Sequence, residues 1–253
     1  MKNAMPEFSP SSAYEEISNF LKTEIGEKSA VIGISGGIDS AVVSSILVRT
    51  LGGDRVTAIF MPDSRTTSSD ATDVSSLAER LSINIRKVDI TTVVGSFSSL
   101  LSVSDPRLLG NIKSRTRMVI LYYFANLADG MVIGTTNRSE YYTGYFTKFG
   151  DGACDLEPIM HLYKHEVRSL ASFLGVPESI IKKSPSAGLW DSQTDESEMG
   201  FTYDHLDAFL ERYERENSSV KPLNEEERRM LDLISGSSHK RKPPKSLLDS
   251  EIR

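Results

Sequence analysis

The chain has 253 residues and a formal net charge of −6 at pH 7, so it can bury one substantial core, and we expect a single domain over residues 1–253. The acidic balance and the lack of an extended basic block argue against a nucleic-acid partner. No apolar run approaches the ~20 residues that span a bilayer, and the N-terminus lacks the apolar centre of a signal peptide, so no membrane partner is expected. Cys154 is the only cysteine, which excludes an intrachain disulfide and cysteine-rich zinc motifs, and we expect a soluble cytoplasmic protein.

Helix and strand patterns alternate along the first half of the chain. The predicted elements are a helix over 13–22, a strand over 31–34, a helix over 41–48, a strand over 55–60, a helix through 74–81 and a strand over 83–88. Such alternation predicts parallel strands joined by right-handed crossovers.

The second half opens with a long predicted helix, because Asp105 is placed to cap it and Pro106 suits the first helical position. After it come a strand over 131–133, a loop-like segment over 143–158, helices over 164–174, 205–215 and 225–234, and a polar tail over 236–253. Residues 184–200 contain too many Ser, Asp and Glu for a regular element and form the candidate mobile lid. The predicted fold class is α/β, a doubly wound, mostly parallel sheet flanked by helices.

Two adjacent glycines separate the first β-branched run from a buried helix. Gly36 and Gly37 have no Cβ, so the backbone can adopt positive φ and approach an anion closely. The amide groups at the helix start are unpaired and lie at the positive end of the helix dipole. A Walker A loop needs a Lys-Ser/Thr pair, and a dinucleotide fingerprint needs Gly-x-Gly-x-x-Gly; neither is present. The turn therefore predicts a phosphate site of another kind.

The residues that follow the strand are Ser35-Gly36-Gly37-Ile38-Asp39-Ser40. This motif, entered through Gly33 and Ile34, resembles the pyrophosphate loop of the N-type ATP pyrophosphatases, which split ATP between its α and β phosphates. An aspartate beside phosphates requires a divalent cation between them. The plainer alternative is an ordinary turn in which Ser35 or Asp39 caps the helix.

Ligands of an open parallel sheet bind beyond the carboxyl ends of its strands. That rule places residues 35–40, 61–65 and 134–140 on one rim, although they are far apart in the chain. The residues able to do chemistry are therefore expected to converge.

Four further segments extend the match. They are Asn111 to Arg117, Gly134 to Glu140, Phe146 to Gly152 with Asp155, Pro158 and Lys164 following, and His239 to Arg241. In this order and spacing the chain resembles the ammonia-dependent NAD synthetases. The resemblance implies ATP-dependent amidation of deamido-NAD to NAD through an adenylated intermediate, with release of AMP and pyrophosphate. It also implies Mg²⁺ and a homodimer that binds deamido-NAD near the subunit interface.

The resemblance implies a role for each matching residue. The catalytic residues would be Asp39, Glu140, Asp151 and Lys164, with Asp39 and Glu140 as the magnesium carboxylates. ATP would be held by residues 33–40 together with Thr135, Lys164 and Ser186. Deamido-NAD would be held by Arg115, Lys148, Asp151, His239 and Lys240. The plainer alternatives are a solvated Glu140, a solvated Lys164, a turn Asp151 and a disordered basic tail.

Some positions depart from the family pattern or stay open. Ser186 stands where the family usually has threonine, and Arg65 is a weaker candidate for contact with ATP. Arg115 and Arg117 are two residues apart and cannot share a helical face, and we expect Arg115 to be the one that points inward. Cys154 suits packing better than nucleophilic catalysis.

The expected nitrogen donor depends on whether the sequence has room for an amidase domain. No residues remain for the fused amidase domain of glutamine-dependent relatives, so free ammonia is expected, with a separate amidotransferase subunit as the alternative. Two rival functions stay open: a tRNA-modifying or GMP-synthetase-like ATP pyrophosphatase, and a non-catalytic module that binds adenine nucleotides.

Overall fold

The computed structural model describes residues 8–186 and 194–246. The strands in this part of the chain are β1 (Ser29–Ile34), β2 (Val56–Phe60), β3 (Ile85–Lys87) and β4 (Gly130–Ile133). The helices of the first half are α1 (Pro10–Ile25), α2 (Ile38–Leu51), α3 (Ser68–Leu81), α4 (Thr91–Leu101) and α5 (Pro106–Leu127). Those of the second half are α6 (Arg138–Thr143), α7 (Lys164–Leu174), α8 (Glu178–Ile181), α9 (Asp195–Met199), α10 (Tyr203–Arg215) and α11 (Glu225–Gly236). Short 3₁₀ turns cover Gly53–Arg55 and Ser238–Arg241.

The four strands form one parallel sheet in the order β3-β2-β1-β4. Ala30 of the central strand β1 pairs with Val56 of β2 on one side and Met131 of β4 on the other. Ala30 and Ile32 enter a core shared with α1, α2 and α7, whereas Val31 enters a second core with α4 and α5. Apolar burial on both faces is what a parallel sheet requires, and the predicted α/β class is confirmed.

A third apolar cluster lies outside the sheet and joins α9, α10 and α11. Its buried side chains include Tyr203, Leu206 and Phe209. No helix in the described residues is both long and apolar enough to cross a membrane. The expectation of one domain over residues 1–253 stays a prediction.

The start of α5 is as predicted. Asp105 Oδ1 accepts the N–H of Arg107 at 2.8 Å, and Pro106 is the first helical residue. The sequence analysis does not predict the helices α4, α6, α8 and α9. The β-branched, serine and glycine residues of α4 have low helix propensity, and its one buried residue is Val94, so its pattern gives little helical signal.

The prediction that residues 184–200 have no regular element is wrong for α9. Thr194 caps this helix in a capping box with Ser197, and acidic residues in its first turn suit the positive end of the helix dipole. The middle of the candidate lid, residues 187–193, lies outside the described residues, so the lid stays a prediction.

The first part of the predicted polar tail packs against α6 and α11. Arg241 donates to the carbonyls of Tyr142 (2.7 Å) and Ile234 (2.6 Å), which belong to the last turns of these helices. The same side chain donates to Ser237 Oγ at 2.7 Å. One guanidinium therefore satisfies carbonyls that the helices leave without an internal partner.

We expect Arg241→Ala to lower the free energy of unfolding by about 1–3 kcal/mol, because it removes the donor from partly buried carbonyls. Lys242→Ala is the matched control, since the neighbouring Lys242 is exposed. Urea unfolding followed by circular dichroism measures both variants. Equal stability of the two would show that the tail does not hold these helix ends.

Candidate active site

The glycine turn lies between β1 and α2, at the carboxyl end of the central strand. Gly36 has φ +82°, and Gly37 is the N-cap of α2 with no side-chain capping bond. Ser40 Oγ donates to the carbonyl of Gly37 (3.0 Å), and Ser35 Oγ accepts the N–H of Gly37 (3.1 Å). The two serines thus shape the turn and leave the start of α2 without a capping side chain. The alternative in which Ser35 or Asp39 caps α2 is not what the structure shows.

Asp39 belongs to a buried cluster with Glu140 and Lys164. The Lys164 ammonium donates to Asp39 Oδ2 at 2.7 Å and to Glu140 Oε1 at 2.9 Å. The Lys164 side chain is 2% exposed and lies over the ring of Tyr203, 4.9 Å from its centre. One lysine therefore links the segments that follow β1 and β4. The alternatives in which Glu140 and Lys164 are ordinary solvated side chains do not describe this structure.

Asn137 connects the two carboxylates a second time. Its Nδ2 donates to Asp39 Oδ1 at 2.9 Å, and its Oδ1 accepts the N–H of Glu140 at 3.0 Å. Glu140 Oε2 in turn accepts the N–H of Asn137, which completes the capping box of α6. Sequence reasoning did not single out Asn137, although an Asn three residues before a Glu is a capping signal.

Burial and the neighbouring charges have opposite effects on the pKa values of Glu140 and Lys164. Burial raises the pKa of Glu140, and Lys164 counteracts this only in part. Burial alone would lower the pKa of Lys164, but Asp39 and Glu140 raise it above its ordinary value. The ammonium therefore stays charged, and it balances one of the two carboxylates.

A second polar layer holds α7, which carries Lys164. Ser139 Oγ accepts the N–H of Lys164 at 3.0 Å and donates to Asp207 of α10. Asp207 Oδ2 also accepts the N–H of His165 at 2.9 Å, so a residue of another helix satisfies the start of α7. The imidazole Nδ1 of His165 also lies 3.0 Å from Asp207 Oδ2, and this side-chain hydrogen bond, together with the Asp207 charge, raises the pKa of His165. Asp207 is a supporting residue that the sequence analysis missed.

Asp195 of α9 is a further buried carboxylate near this cluster. It accepts a hydrogen bond from the Tyr203 hydroxyl at 3.0 Å, and it is 4% exposed. Burial raises its pKa, whereas the charge of Lys164 lowers it. Local sequence gave no signal for this residue, because its partners come from other elements.

A second group of predicted site residues surrounds Asp151. Asp151 Oδ1 accepts from Ser114 Oγ (2.6 Å) and from the N–H of Thr147 (2.9 Å). A Cβ at Gly150 would lie 2.3 Å from Ser114 Oγ, and one at Gly152 would lie 2.4 Å from the Phe146 ring. Gly150 is therefore needed for the loop to pack against α5, and Gly152 for the loop to pack against its own Phe146.

The basic residues predicted to bind deamido-NAD lie around the same loop. Arg115 donates to the Lys148 carbonyl at 3.2 Å, and Lys148 Nζ donates to the His239 carbonyl at 2.7 Å. Lys240 Nζ donates to the carbonyls of Gly144 (2.7 Å) and Phe146 (2.8 Å). The structure thus brings these five predicted residues, counting Asp151, into one cluster. The tail over 238–241 is ordered in a 3₁₀ turn, and the disordered alternative does not hold there.

The expectation that Arg115 points inward is not met, since Arg117 is the more buried of the two, while contact of Arg115 with deamido-NAD stays a prediction. Arg115 is exposed, whereas Arg117 Nε donates to the Met61 carbonyl at 3.1 Å and lies 3.6 Å from Asp63. Two residues apart on a helix, the arginines face different sides, and it is Arg117 that faces the sheet rim beyond β2.

The remaining predicted residues occupy separate positions. Thr135 is half-buried directly after β4, Ser186 ends the first described range, and Arg65 is exposed beyond β2. Burial raises the pKa of the Cys154 thiol, and the nearby Glu157 raises it further. A thiol of this kind is inert, which agrees with a packing role.

A glycine turn beside two carboxylates and a lysine, at the carboxyl ends of a parallel sheet, defines an α/β protein with a nucleotide phosphate site. A family model described as NAD synthase matches residues 13–244. The NH(3)-dependent NAD(+) synthetase of Picrophilus torridus is 50% identical over 240 residues, which cover 95% of this chain and 96% of that one. The corresponding protein of Thermoplasma acidophilum is 50% identical over 234 residues, covering 92% and 96%. The chain belongs to the NAD synthase family.

Solved structures agree in fold. The NMN synthetase from Francisella tularensis has a TM-score of 0.86 at 38% identity, covering 95% of this chain and 99% of that one. The NH3-dependent NAD synthetase from Campylobacter jejuni has a TM-score of 0.81 at 28% identity, covering 95% and 100%. The resemblance drawn from the motifs is therefore confirmed.

We expect Lys164→Met to lower the free energy of unfolding by about 3–5 kcal/mol near neutral pH, because two buried carboxylates lose their cation. In the variant the pKa of Glu140 rises further, so the folded state binds more protons than the unfolded state. The pKa of Glu140 is about 8 in the intact protein, so the deficit should shrink as the pH falls from about 9.5 to about 7.

Urea unfolding of wild type and variant at both pH values measures this change. His165 is present in both proteins, so its contribution cancels when their free energies of unfolding are subtracted. Lys148→Met, which removes a half-buried lysine bound to a carbonyl, should show no such narrowing. A deficit that is independent of pH would contradict the account of the cluster.

Proposed function

We propose that this protein is a ligase that forms the amide of NAD from deamido-NAD, using ATP and free ammonia. The observation that carries the proposal is the meeting of the glycine turn with the Asp39–Lys164–Glu140 cluster at one rim of the sheet, in a chain of the NAD synthase family. The NH(3)-dependent NAD(+) synthetases of Picrophilus and Thermoplasma support ammonia as the donor. The same proposal places the enzyme in the cytoplasm, where its ATP substrate is found.

In the first step, a carboxylate oxygen of the nicotinate attacks the α-phosphorus of ATP, and the bond to the pyrophosphate oxygen breaks. The amide groups of residues 36–38 and the hydroxyls of Ser35 and Ser40 are proposed to bind the departing pyrophosphate. For this the Gly37 N–H and the Ser40 hydroxyl exchange their hydrogen bonds within the turn for phosphate oxygens. Thr135 and Ser186 are proposed to contact ATP from the neighbouring strand end and from the segment after α8. Lys164 fixes the positions of Asp39 and Glu140 relative to each other and adds positive charge beside the phosphates.

In the second step, ammonia attacks the carbonyl carbon of the adenylated nicotinate, AMP leaves with the bridging oxygen, and the nitrogen loses a proton. Asp151 is the residue proposed to meet the ammonia or ammonium. Both hydrogen bonds that its carboxylate accepts from described residues use Oδ1, so Oδ2 can accept from a ligand. Arg115, Lys148, His239 and Lys240 surround this loop and are proposed to hold the dinucleotide.

Mg²⁺ is proposed as the cofactor. Among the described residues, no group of three or more His, Cys, Asp or Glu side chains forms a metal site. Mg²⁺ is usually held by one or two carboxylates together with substrate phosphates, and Asp39 and Glu140 supply such a pair. When bound, the ion would neutralise phosphate charge as pyrophosphate leaves.

We expect purified protein with ATP, Mg²⁺, deamido-NAD and ammonium to give NAD and AMP in equal amounts, and glutamine to give little. Chromatography of the products measures both. Hydrolysis of ATP to AMP and pyrophosphate without NAD would favour another ATP pyrophosphatase, and binding of ATP without turnover would favour a nucleotide-binding module. Nicotinate mononucleotide in a parallel tube tests a mononucleotide substrate, and preferred formation of NMN would overturn the proposal for deamido-NAD.

A homodimer is proposed on the exposed apolar stripes of α4 and α5. On α5 the side chains of Leu108, Val119, Tyr123 and Leu127 recur at helical spacing and are 54–68% exposed. On α4 the stripe consists of Val93, Phe97, Leu100 and Leu101. Exposed apolar stripes on two helices support an interface there, and α5 also carries Ser114 and Arg115 of the Asp151 cluster.

We expect Val119→Glu to convert the dimer to a monomer, because a charge in the centre of an apolar interface is left without a partner. Sedimentation velocity measures the change, with Val103→Glu, outside both stripes, as the control. A monomeric wild type, or a dimer that persists in Val119→Glu, would contradict an interface on α5.

A further inference from the structure

Lys183, which follows α8, lies beside the glycine turn and was not singled out by any motif. Its ammonium donates to Asp70 Oδ1 at 2.6 Å and to Asp73 Oδ2 at 2.8 Å, both on α3. It also lies 3.5 Å from the carbonyl oxygen of Gly36. Three segments that are distant in sequence therefore meet at one lysine.

The two carboxylates that hold Lys183 are themselves fixed. Asp70 Oδ2 accepts the N–H of Thr67 at 3.0 Å in the capping box of α3. Asp73 Oδ1 accepts a hydrogen bond from Ser179 of α8 at 2.8 Å, and its side chain is 6% exposed. Because its two carboxylate partners are fixed by further hydrogen bonds, the Lys183 side chain is held in place more firmly than a lysine of an exposed ion pair.

The glycine turn also contacts α3 directly. A Cβ at Gly36 would lie 3.2 Å from the backbone oxygen of Asp70, so the turn touches the first turn of α3. Gly36 adopts its positive φ without steric strain, so contacts with neighbouring groups decide how firmly the turn is held. Asp70 supports it from one side, and the Lys183 ammonium interacts with its carbonyl.

We propose that Lys183 is a positioning residue for the pyrophosphate turn: it ties the Gly36 carbonyl to α3 and keeps the neighbouring amides in the shape that receives the phosphates of ATP. This inference rests on the proposed function, since ATP is the ligand. Its role differs from that of Lys164, because Lys183 acts through the backbone of the turn.

Isothermal titration with Mg·ATP, without deamido-NAD, tests the proposal. We expect Lys183→Met to weaken ATP binding about tenfold or more, with deamido-NAD affinity unchanged. Lys182→Met is the matched control, because Lys182 itself pairs with Glu178 on an exposed surface, and both affinities should stay at the wild-type value. If wild type itself does not bind Mg·ATP, the proposed function fails, which is a result distinct from failure of the role of Lys183.

A second experiment distinguishes the effect of the Lys183 charge from the effect of its contact with the Gly36 carbonyl. Lys183→Met leaves Asp70 and Asp73 unbalanced near the phosphates, whereas the double variant Lys183→Met/Asp73→Asn restores the local net charge. We expect the double variant to remain weak toward Mg·ATP. Recovery of wild-type affinity would show that charge alone matters and would overturn the positioning role. Unchanged ATP affinity in Lys183→Met, or equal loss of both ligands with a lowered Tm, would overturn it as well.

Discussion

The ammonium of Lys164 between Asp39 and Glu140 is the interaction on which the arrangement of the site depends. Two carboxylates can be buried side by side only if a cation or a proton offsets their repulsion. Asp39 follows β1 and Glu140 follows β4, so this one lysine fixes the distance between two neighbouring strand ends. The parallel sheet places the carboxylates on one rim, and Lys164 sets how they face each other.

The surrounding polar groups keep this arrangement in place. Asn137 bonds to Asp39 while capping the helix of Glu140, and Asp207 supports the start of the helix that carries Lys164. On the other side of the site, the tail fixes the loop of Asp151 through Lys240. The cluster that we propose for phosphate chemistry and the cluster that we propose for dinucleotide recognition are therefore each held by contacts between distant segments. That division matches a reaction in which ATP and a carboxylate must be brought together.

Local patterns predicted much of the fold. The alternating strands and helices, the glycine turn and the caps of α5 depend on neighbouring residues, and the sequence analysis identified them. Asn137, Asp207 and Lys183 were missed because their partners lie far away: Asn137 reaches Asp39 across 98 positions, and Lys183 reaches Asp70 across 113. The loop of Asp151 was recognised through family resemblance, and the structure supplies its physical reason in the close packing at Gly150 and Gly152. The direction of Arg117 was missed because spacing on a helix separates two side chains without saying which faces the site.

We propose that Asp39 and Glu140 act together as the carboxylate pair for the divalent ion that accompanies ATP. Electron paramagnetic resonance of Mn²⁺, titrated in the presence of a non-hydrolysable ATP analogue, tests it directly in wild type, Glu140→Gln and Glu157→Gln. Glu157 is the matched control, because it is another largely buried acid, bonded to the N–H of Thr136 just beyond the same strand. We expect Glu140→Gln to weaken protein-dependent Mn²⁺ binding at least about tenfold, and Glu157→Gln to leave it unchanged. Equal Mn²⁺ affinity in wild type and Glu140→Gln would contradict it.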